Sequence, residues 1–223
     1  MPRTARAAPG GIVYHVLNRG VGKNQLFFND QDYLAFERII ADTLEKQSMR
    51  VLSYCLVPNH WHFVLWPEND GDLGRFMQVL TITHVTRWQK NYNMVGYGHI
   101  YQGRFKSFPV ETDEYFYQVN RYVERNALRA NLVKRAEAWP YGSLWIHEHG
   151  TDEHRRLLSS WPMPKPRKWK DYFNEPASEG ELAALRRSVA RGTPYGSPAW
   201  IESTAKKLGL QSTLRPPGRP KTR

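Results

Sequence analysis

His60-Trp61-His62 and, further along, Tyr122 with Asn126 are the residues whose types and spacing could do chemistry in this chain. Side chains alternate along a strand, so His60 and His62 face the same way if their segment is extended. Imidazole is a ready ligand for divalent metals, and two ligands from one strand leave most of the coordination sphere open to a third protein group, water or a phosphate oxygen. Tyr122 and Asn126 are four residues apart and share a face if their segment is helical. If that face looks at the two histidines, the Asn126 amide oxygen can join them on a metal while the Tyr122 hydroxyl meets a phosphate held there. A phenol ordinarily titrates near about 10, so attack on phosphorus calls for a neighbouring cation or base. A metal would act as a Lewis acid, neutralising charge on the phosphate and aligning it. Attack by tyrosine keeps the ester energy in a covalent adduct, so a later hydroxyl can reseal or transfer the strand without ATP.

The elements that must position these groups follow from periodicity and capping. Ile12 to Asn18 reads as a first strand, ended by Arg19-Gly20 and a polar loop. A helix from Asp30 to about Gln47 carries Tyr33, Phe36, Ile40 and Leu44 on one stripe, with Asn29 or Asp30 as cap. Val51 to Val57 and His60 to Trp66 are two extended runs separated only by Pro58-Asn59, which suits an antiparallel hairpin. A second helix should run from Asp70 towards Lys90, and Thr112 can cap a third from Asp113 to about Ala130. At least one hairpin among the crossovers predicts an α+β architecture, an antiparallel or mixed sheet with helices packed on it.

Residues 1–145 read as the catalytic domain. The Pro- and Lys-rich stretch in 146–176 reads as a linker, and 177–210 as a small helical module opened by the capping box Ser178-x-x-Glu181. In that module Ser197-Pro198 supplies a cap followed by Pro at the first helical position of a second helix. The tail 211–223 holds Arg215, Arg219, Lys221 and Arg223 with no acid and three prolines, a composition expected to be disordered when free. Cys55 lies in an apolar run and can form no internal disulfide, so it reads as core.

The chain has 32 Lys and Arg against 21 Asp and Glu, a net charge of +11, which favours polyanions and makes nucleic acid the first partner to consider. No segment approaches the roughly 20 apolar residues that span a bilayer, so no membrane partner is expected. The opening residues lack the apolar core of a secretory signal, and the expected compartment is the cytoplasm, at the bacterial nucleoid.

At the level of whole motifs the chain resembles the single-tyrosine HUH transposases of the IS200/IS605 type, and within them the REP-associated tyrosine transposases. Gly10 to Gly20 is similar to the family's opening strand, Pro58-Asn59-His60-Trp61-His62 to its metal motif, and Gln102-Gly103-Arg104-Phe105-Lys106 to a further signature. Arg121 to Ala130 resembles the nucleophile helix, and Arg191 to Ser197 through Leu214-Arg215-Pro216 resembles the extension of the REP-associated branch. The resemblance implies a ferredoxin-like sheet, a Mg²⁺ or Mn²⁺ requirement, His60, His62 and Asn126 on the ion, and Tyr122 as nucleophile. It also implies cleavage of single-stranded DNA at REP-like hairpins through a 5′-phosphotyrosine, by a monomer rather than a dimer. The chain departs from the usual Asn-Pro-Val-Arg motif with Ala127 and Leu128, and loss of that Pro is expected to let the helix run straight.

Further contacts to DNA are expected from Asn18 and Arg19 at the end of the first strand, reading an unpaired base, and from Arg104 and Lys106 on backbone phosphate. Arg215 and Arg219 in the tail suit a narrow A·T minor groove. Tyr115, one heptad before Tyr122, is the rival nucleophile but has no Asn four residues on. Two other activities compete: a metal-dependent nuclease in which water attacks, and a hairpin-binding protein with a decayed centre. A zinc deaminase is disfavoured because its H-x-E and P-C-x-x-C elements are missing.

Overall fold

The computed structural model describes residues 8–215. Strand β1 (Val13–Arg19), helix α1 (Asp30–Lys46), strands β2 (Arg50–Val57) and β3 (His60–Trp66), helix α2 (Asp72–Asn91) and strand β4 (Lys106–Val110) come first. The strands form one sheet in the order β2-β3-β1-β4, every neighbouring pair antiparallel. With α1 and α2 as its two crossovers this is the ferredoxin-like α+β arrangement. Helices α3 (Glu114–Glu124), α4 (Asn126–Arg129), α5 (Ser143–His149), α6 (Asp152–Arg156), α7 (Trp169–Asn174), α8 (Glu179–Arg191) and α9 (Pro198–Leu208) follow.

The sheet is covered on both faces, which is why β2 and β3 read as continuous apolar runs rather than alternating ones. On one face Tyr14, Val16, Trp61, Phe63 and Leu65 pack with Phe36 of α1 and Phe76, Met77 and Leu80 of α2. On the other, Val13, Val64, Phe108 and Val110 pack with Phe116, Val119 and Val123 of α3. Register decides what else shares that second face. Leu17 pairs with His62 and Arg19 with His60 across β1 and β3, and directly opposed residues project the same way.

Local sequence signals explain the boundaries. The Asn29 side chain accepts from the Asp32 amide, capping α1. At α3 the cap is Asp113, accepting from the Tyr115 amide, and not the expected Thr112. Nor does this helix run straight to Ala130: α3 ends at Glu124, Arg125 adopts ψ of 1°, and the short α4 begins at Asn126. That ψ lies far from the helical value near −42°, so the next peptide tilts out of the hydrogen-bond ladder even without a proline.

The stretch expected as a linker is folded onto the core. Ser159 donates its amide to the Val51 carbonyl and the Trp161 indole donates to the Leu52 carbonyl, both on β2. Phe173 of α7 is fully buried. Proline and lysine counts signalled an open chain here, but the intervening Trp161 and Phe173 supply enough apolar surface to bind it down. The helical module is likewise attached to the core. Nη2 of Arg121 on α3 donates to both carboxylate oxygens of Glu181 on α8, at 2.9 and 2.8 Å. Residues 109–111 exchange backbone hydrogen bonds with Tyr195, covering the β4 edge as Tyr141 and Gly142 cover β2.

The Ser178–Glu181 capping box forms as expected. Ser197 does not cap α9 with its side chain. Its amide and hydroxyl instead donate to the Glu111 carboxylate, which places a negative charge at that helix's positive end. The tail begins as an ordered 3-10 turn, Gln211–Thr213, whose carbonyls accept from Arg191. Arg219 and the rest of 216–223 lie outside the described residues.

Candidate active site

Where β1 and β3 run under the α3–α4 junction, His60, His62, Tyr122 and Asn126 line one cavity of about 290 Å³, completed by Leu17, Arg19, Arg129 and Val189. Strand β3 delivers both histidines and β1 delivers Leu17 and Arg19, the helix junction delivers Tyr122 and Asn126, and α8 contributes Val189. Tyr122 stands edge-on to His62, ring centroids 5.7 Å apart at 86°, and the Arg129 guanidinium lies 4.5 Å above the Tyr122 ring.

The hydrogen bonds around His60 define its protonation pattern. Its Nδ1 lies 2.6 Å from Asn59 Oδ1, and its Nε2 lies 3.1 Å from Asn126 Oδ1. Both amides are pinned by their nitrogens: Asn59 donates to the Lys23 carbonyl and Asn126 to the Tyr122 carbonyl. Burial, chiefly, pushes the His60 pKa down to about 4, so the ring carries one proton at neutral pH. Two acceptor oxygens thus flank a ring with one proton; placed on Nδ1, beside the nearer Asn59 oxygen, it leaves the Nε2 lone pair facing the Asn126 carbonyl oxygen. Two acceptors 3.1 Å apart repel each other unless a cation joins them. Neighbouring ligands of an octahedral ion with bonds of about 2.1 Å sit roughly 3 Å apart, so His60 and Asn126 fit one ion. Among the described residues no group of three His, Cys, Asp or Glu offers a metal site; a third donor here would have to be the Asn126 amide.

His62 is buried, and its Nδ1 lies 2.8 Å from Nε2 of His15 on β1, leaving Nε2 for the cavity. Burial, then the neighbouring His15, His60, Arg129 and Arg19, hold the His62 pKa well below the ordinary histidine value. Both candidate ligands are therefore neutral and ready to donate lone pairs, and the two arginines make the cavity positive.

These discharged imidazoles give a pH signature. Burial holds His15 and the core residue His84 down to about 3 and His60 to about 4. The unfolded chain takes up these protons near about 6.5, whereas the folded chain refuses them until far lower pH. Their contribution is complete above the unfolded value and is lost as pH falls towards 4. Glu124 runs the other way. Burial, opposed by hydrogen bonds from Ser143 and the Leu144 amide, pushes it up to about 7, so its contribution is lost as pH rises through 7. Burial raises Glu37 in the same direction; several imidazoles outweigh these two carboxyls, and the metal-free protein should melt at a lower temperature at pH 5 than at pH 7. A Tm that rises on acidification over this range would contradict the assignment.

The remaining sequence-predicted residues fall in different places. Arg19 joins the cavity. Lys106 pairs with Leu17 and so projects from β4 towards the same face. Asn18 is buried, donates to the Gly103 carbonyl and accepts from the Arg19 amide; it ties the end of β1 to the 101–105 segment instead of presenting a free amide to a base. Arg104 lines a separate groove beside α2, and Arg215 is exposed at the end of the described chain. Tyr115 packs against Tyr195, away from the histidines. Sequence reasoning missed His15, Arg129 and Val189. His15 was findable, since its two-residue spacing from Leu17 puts it on the face that pairing with His62 selects.

The chain matches the family described as "Transposase IS200 like" over residues 10–126, more than half its length, and belongs to that family. A REP-associated tyrosine transposase solved bound to a REP hairpin overlays with a TM-score of 0.54 at 16% identity, covering 69% of this chain and 90% of that one. A candidate transposase from Deinococcus radiodurans R1 overlays less well, with a TM-score of 0.40 at 15% identity over 55% of this chain and 96% of that one. No curated protein matches. Among the described residues, no helix is long and apolar enough to cross a membrane.

Proposed function

We propose that this transposase nicks single-stranded DNA beside hairpins and transfers the strand through a phosphotyrosine on Tyr122, with His60, His62 and Asn126 holding Mg²⁺ or Mn²⁺. The observation that carries the reading is the single cavity in which His60 and Asn126, 3.1 Å apart, His62, Tyr122 and two arginines converge. A hairpin as partner rests on the family and on the related fold solved with a REP hairpin.

The chain's own groups then have definite tasks. Arg19 and Arg129 attract a phosphodiester into the cavity and balance its charge. The stacked Arg129 also restrains the Tyr122 ring, so the hydroxyl approaches phosphorus from a fixed side. As the Tyr122 oxygen bonds to phosphorus its proton leaves to water, the bond to the 3′ oxygen breaks, and that oxygen takes up a proton. Rejoining reverses these steps with the same or another 3′ hydroxyl. A bound divalent ion would supply Lewis-acid stabilisation of the phosphate. Incubating the protein with end-labelled hairpin oligonucleotides and Mn²⁺, then separating products under denaturing conditions, should give a covalent protein–DNA adduct. Cleavage without an adduct would favour a hydrolytic nuclease, and chelator-insensitive binding without cleavage a decayed centre.

The tail, in this reading, adds affinity and not cleavage position, since Arg219, Lys221 and Arg223 can neutralise phosphates. Truncation after Arg215 should weaken hairpin binding and lower the slope of log affinity against log salt by up to about 0.7 to 0.9 for each phosphate left without its cation. Cut sites should not move; a shifted site or an unchanged slope would sink this division of labour.

A further inference from the structure

We propose that His15 is a positioning residue: by accepting the Nδ1 proton of His62 it holds that imidazole in the tautomer whose Nε2 lone pair faces the cavity. The proposal rests on the metal-binding reading above, but the tautomer can be measured without it.

His15 has no exposed surface, and its ring is packed by Phe108 at 4.7 Å and by Tyr122 at 6.0 Å between centroids. Its one polar contact is Nε2 to His62 Nδ1 at 2.8 Å. The other nitrogen, Nδ1, is buried with no hydrogen-bond partner. An unpaired buried polar group is costly, so on packing grounds alone a Phe or Leu would serve this position better. The imidazole is accounted for by what it does for His62.

Two arrangements satisfy the contact. In one, His62 donates from Nδ1 and His15 accepts, which leaves the His62 Nε2 bare. In the other, His15 donates and His62 must carry its own proton on Nε2, which blocks a ligand lone pair. His15 keeps one orphaned nitrogen in either case, an N–H in the first and a lone pair in the second, and the choice falls at the other ring, where Arg19 and Arg129 in the cavity favour a lone pair over an N–H on the His62 Nε2. At His60 the ring's one proton faces an acceptor oxygen on either side, and the Asn59 oxygen, 2.6 Å from Nδ1, is nearer than the Asn126 oxygen, 3.1 Å from Nε2, which favours the proton on Nδ1. With the first arrangement His15 does for His62 what Asn59 does for His60, and both rings present Nε2 to the same cavity. Groups that orient a metal-binding imidazole in this way typically matter by roughly 10- to 100-fold in metal affinity.

Long-range ¹H–¹⁵N NMR of the metal-free wild-type protein at neutral pH should report His62 protonated on Nδ1; protonation on Nε2 overturns the proposal. A second measurement follows Mn²⁺ binding to the DNA-free protein by water-proton relaxation. His15→Phe removes the acceptor and should weaken Mn²⁺ binding roughly 10- to 100-fold, whereas His15→Gln, whose amide oxygen can accept, should stay closer to wild type. Wild-type affinity in a folded His15→Phe overturns it, as does equal loss in both variants. Should His15→Phe not fold, the NMR result on the wild type decides alone. A wild-type protein with the expected tautomer that binds no Mn²⁺ supports the role of His15 while removing the metal reading of the site.

Discussion

Tyr122→Phe should abolish the covalent protein–DNA adduct and lower strand cleavage by roughly 10⁴-fold or more, the scale of loss when a covalent nucleophile is deleted. Fold and hairpin affinity should survive. The ring keeps its edge-on contact with His62 and its place under Arg129, because only the hydroxyl goes. In the proposed reading part of the affinity comes from the guanidinium groups of Arg19 and Arg129, which the substitution leaves in the cavity. Tyr115→Phe is the matched control, since that ring packs on Tyr195 and takes no part in the cavity. An adduct that persists in Tyr122→Phe and maps to another tyrosine would move the nucleophile; one that vanishes only with Tyr115→Phe would reverse the assignment.

What could be read from the sequence follows from how far each signal reaches. The alternation that sets His60 and His62 on one face is local to a strand, and the four-residue spacing of Tyr122 and Asn126 is local to a helix, so both pairs were legible. That the two faces meet depends on register: Leu17 opposite His62, with α3 laid across that side of the sheet. Composition misled where a few large residues outweigh many polar ones, as at Trp161 and Phe173. The break at Arg125 was invisible because no Gly or Pro marks it. Even so, Asn126 stays tied to the Tyr122 carbonyl, and the pair remains together across the break. Asn18 read as a reader of bases because a polar residue ending a strand has no local clue to a partner as distant as Gly103.

His60→Ala and His62→Ala should each reduce cleavage by roughly 10²- to 10⁴-fold, since each removes one donor from a set that contains no carboxylate. In the proposed reading, with only neutral donors and two nearby arginines, the DNA-free protein should hold the ion weakly and a bound phosphate should tighten it by adding negative charge, so the ion and DNA should bind cooperatively. The two variants should differ in a telling way. His60 is partly exposed and its loss frees Asn59 and Asn126, so excess Mn²⁺ with water in the vacant position should restore part of the activity. His62 is buried and its loss leaves His15 Nε2 without its partner, so His62→Ala should also cost stability, about 1 to 3 kcal/mol. Asn126→Ala should be milder than either, because water can take an oxygen position, and Asn126→Asp should bind Mn²⁺ more tightly by adding the missing charge. Single-turnover cleavage across a Mn²⁺ series, with a melting curve for each variant, reads all four. Full activity of any histidine variant in excess chelator would take the ion out of the mechanism and leave the contact between His60 and Asn126 as an ordinary hydrogen bond from Nε2–H.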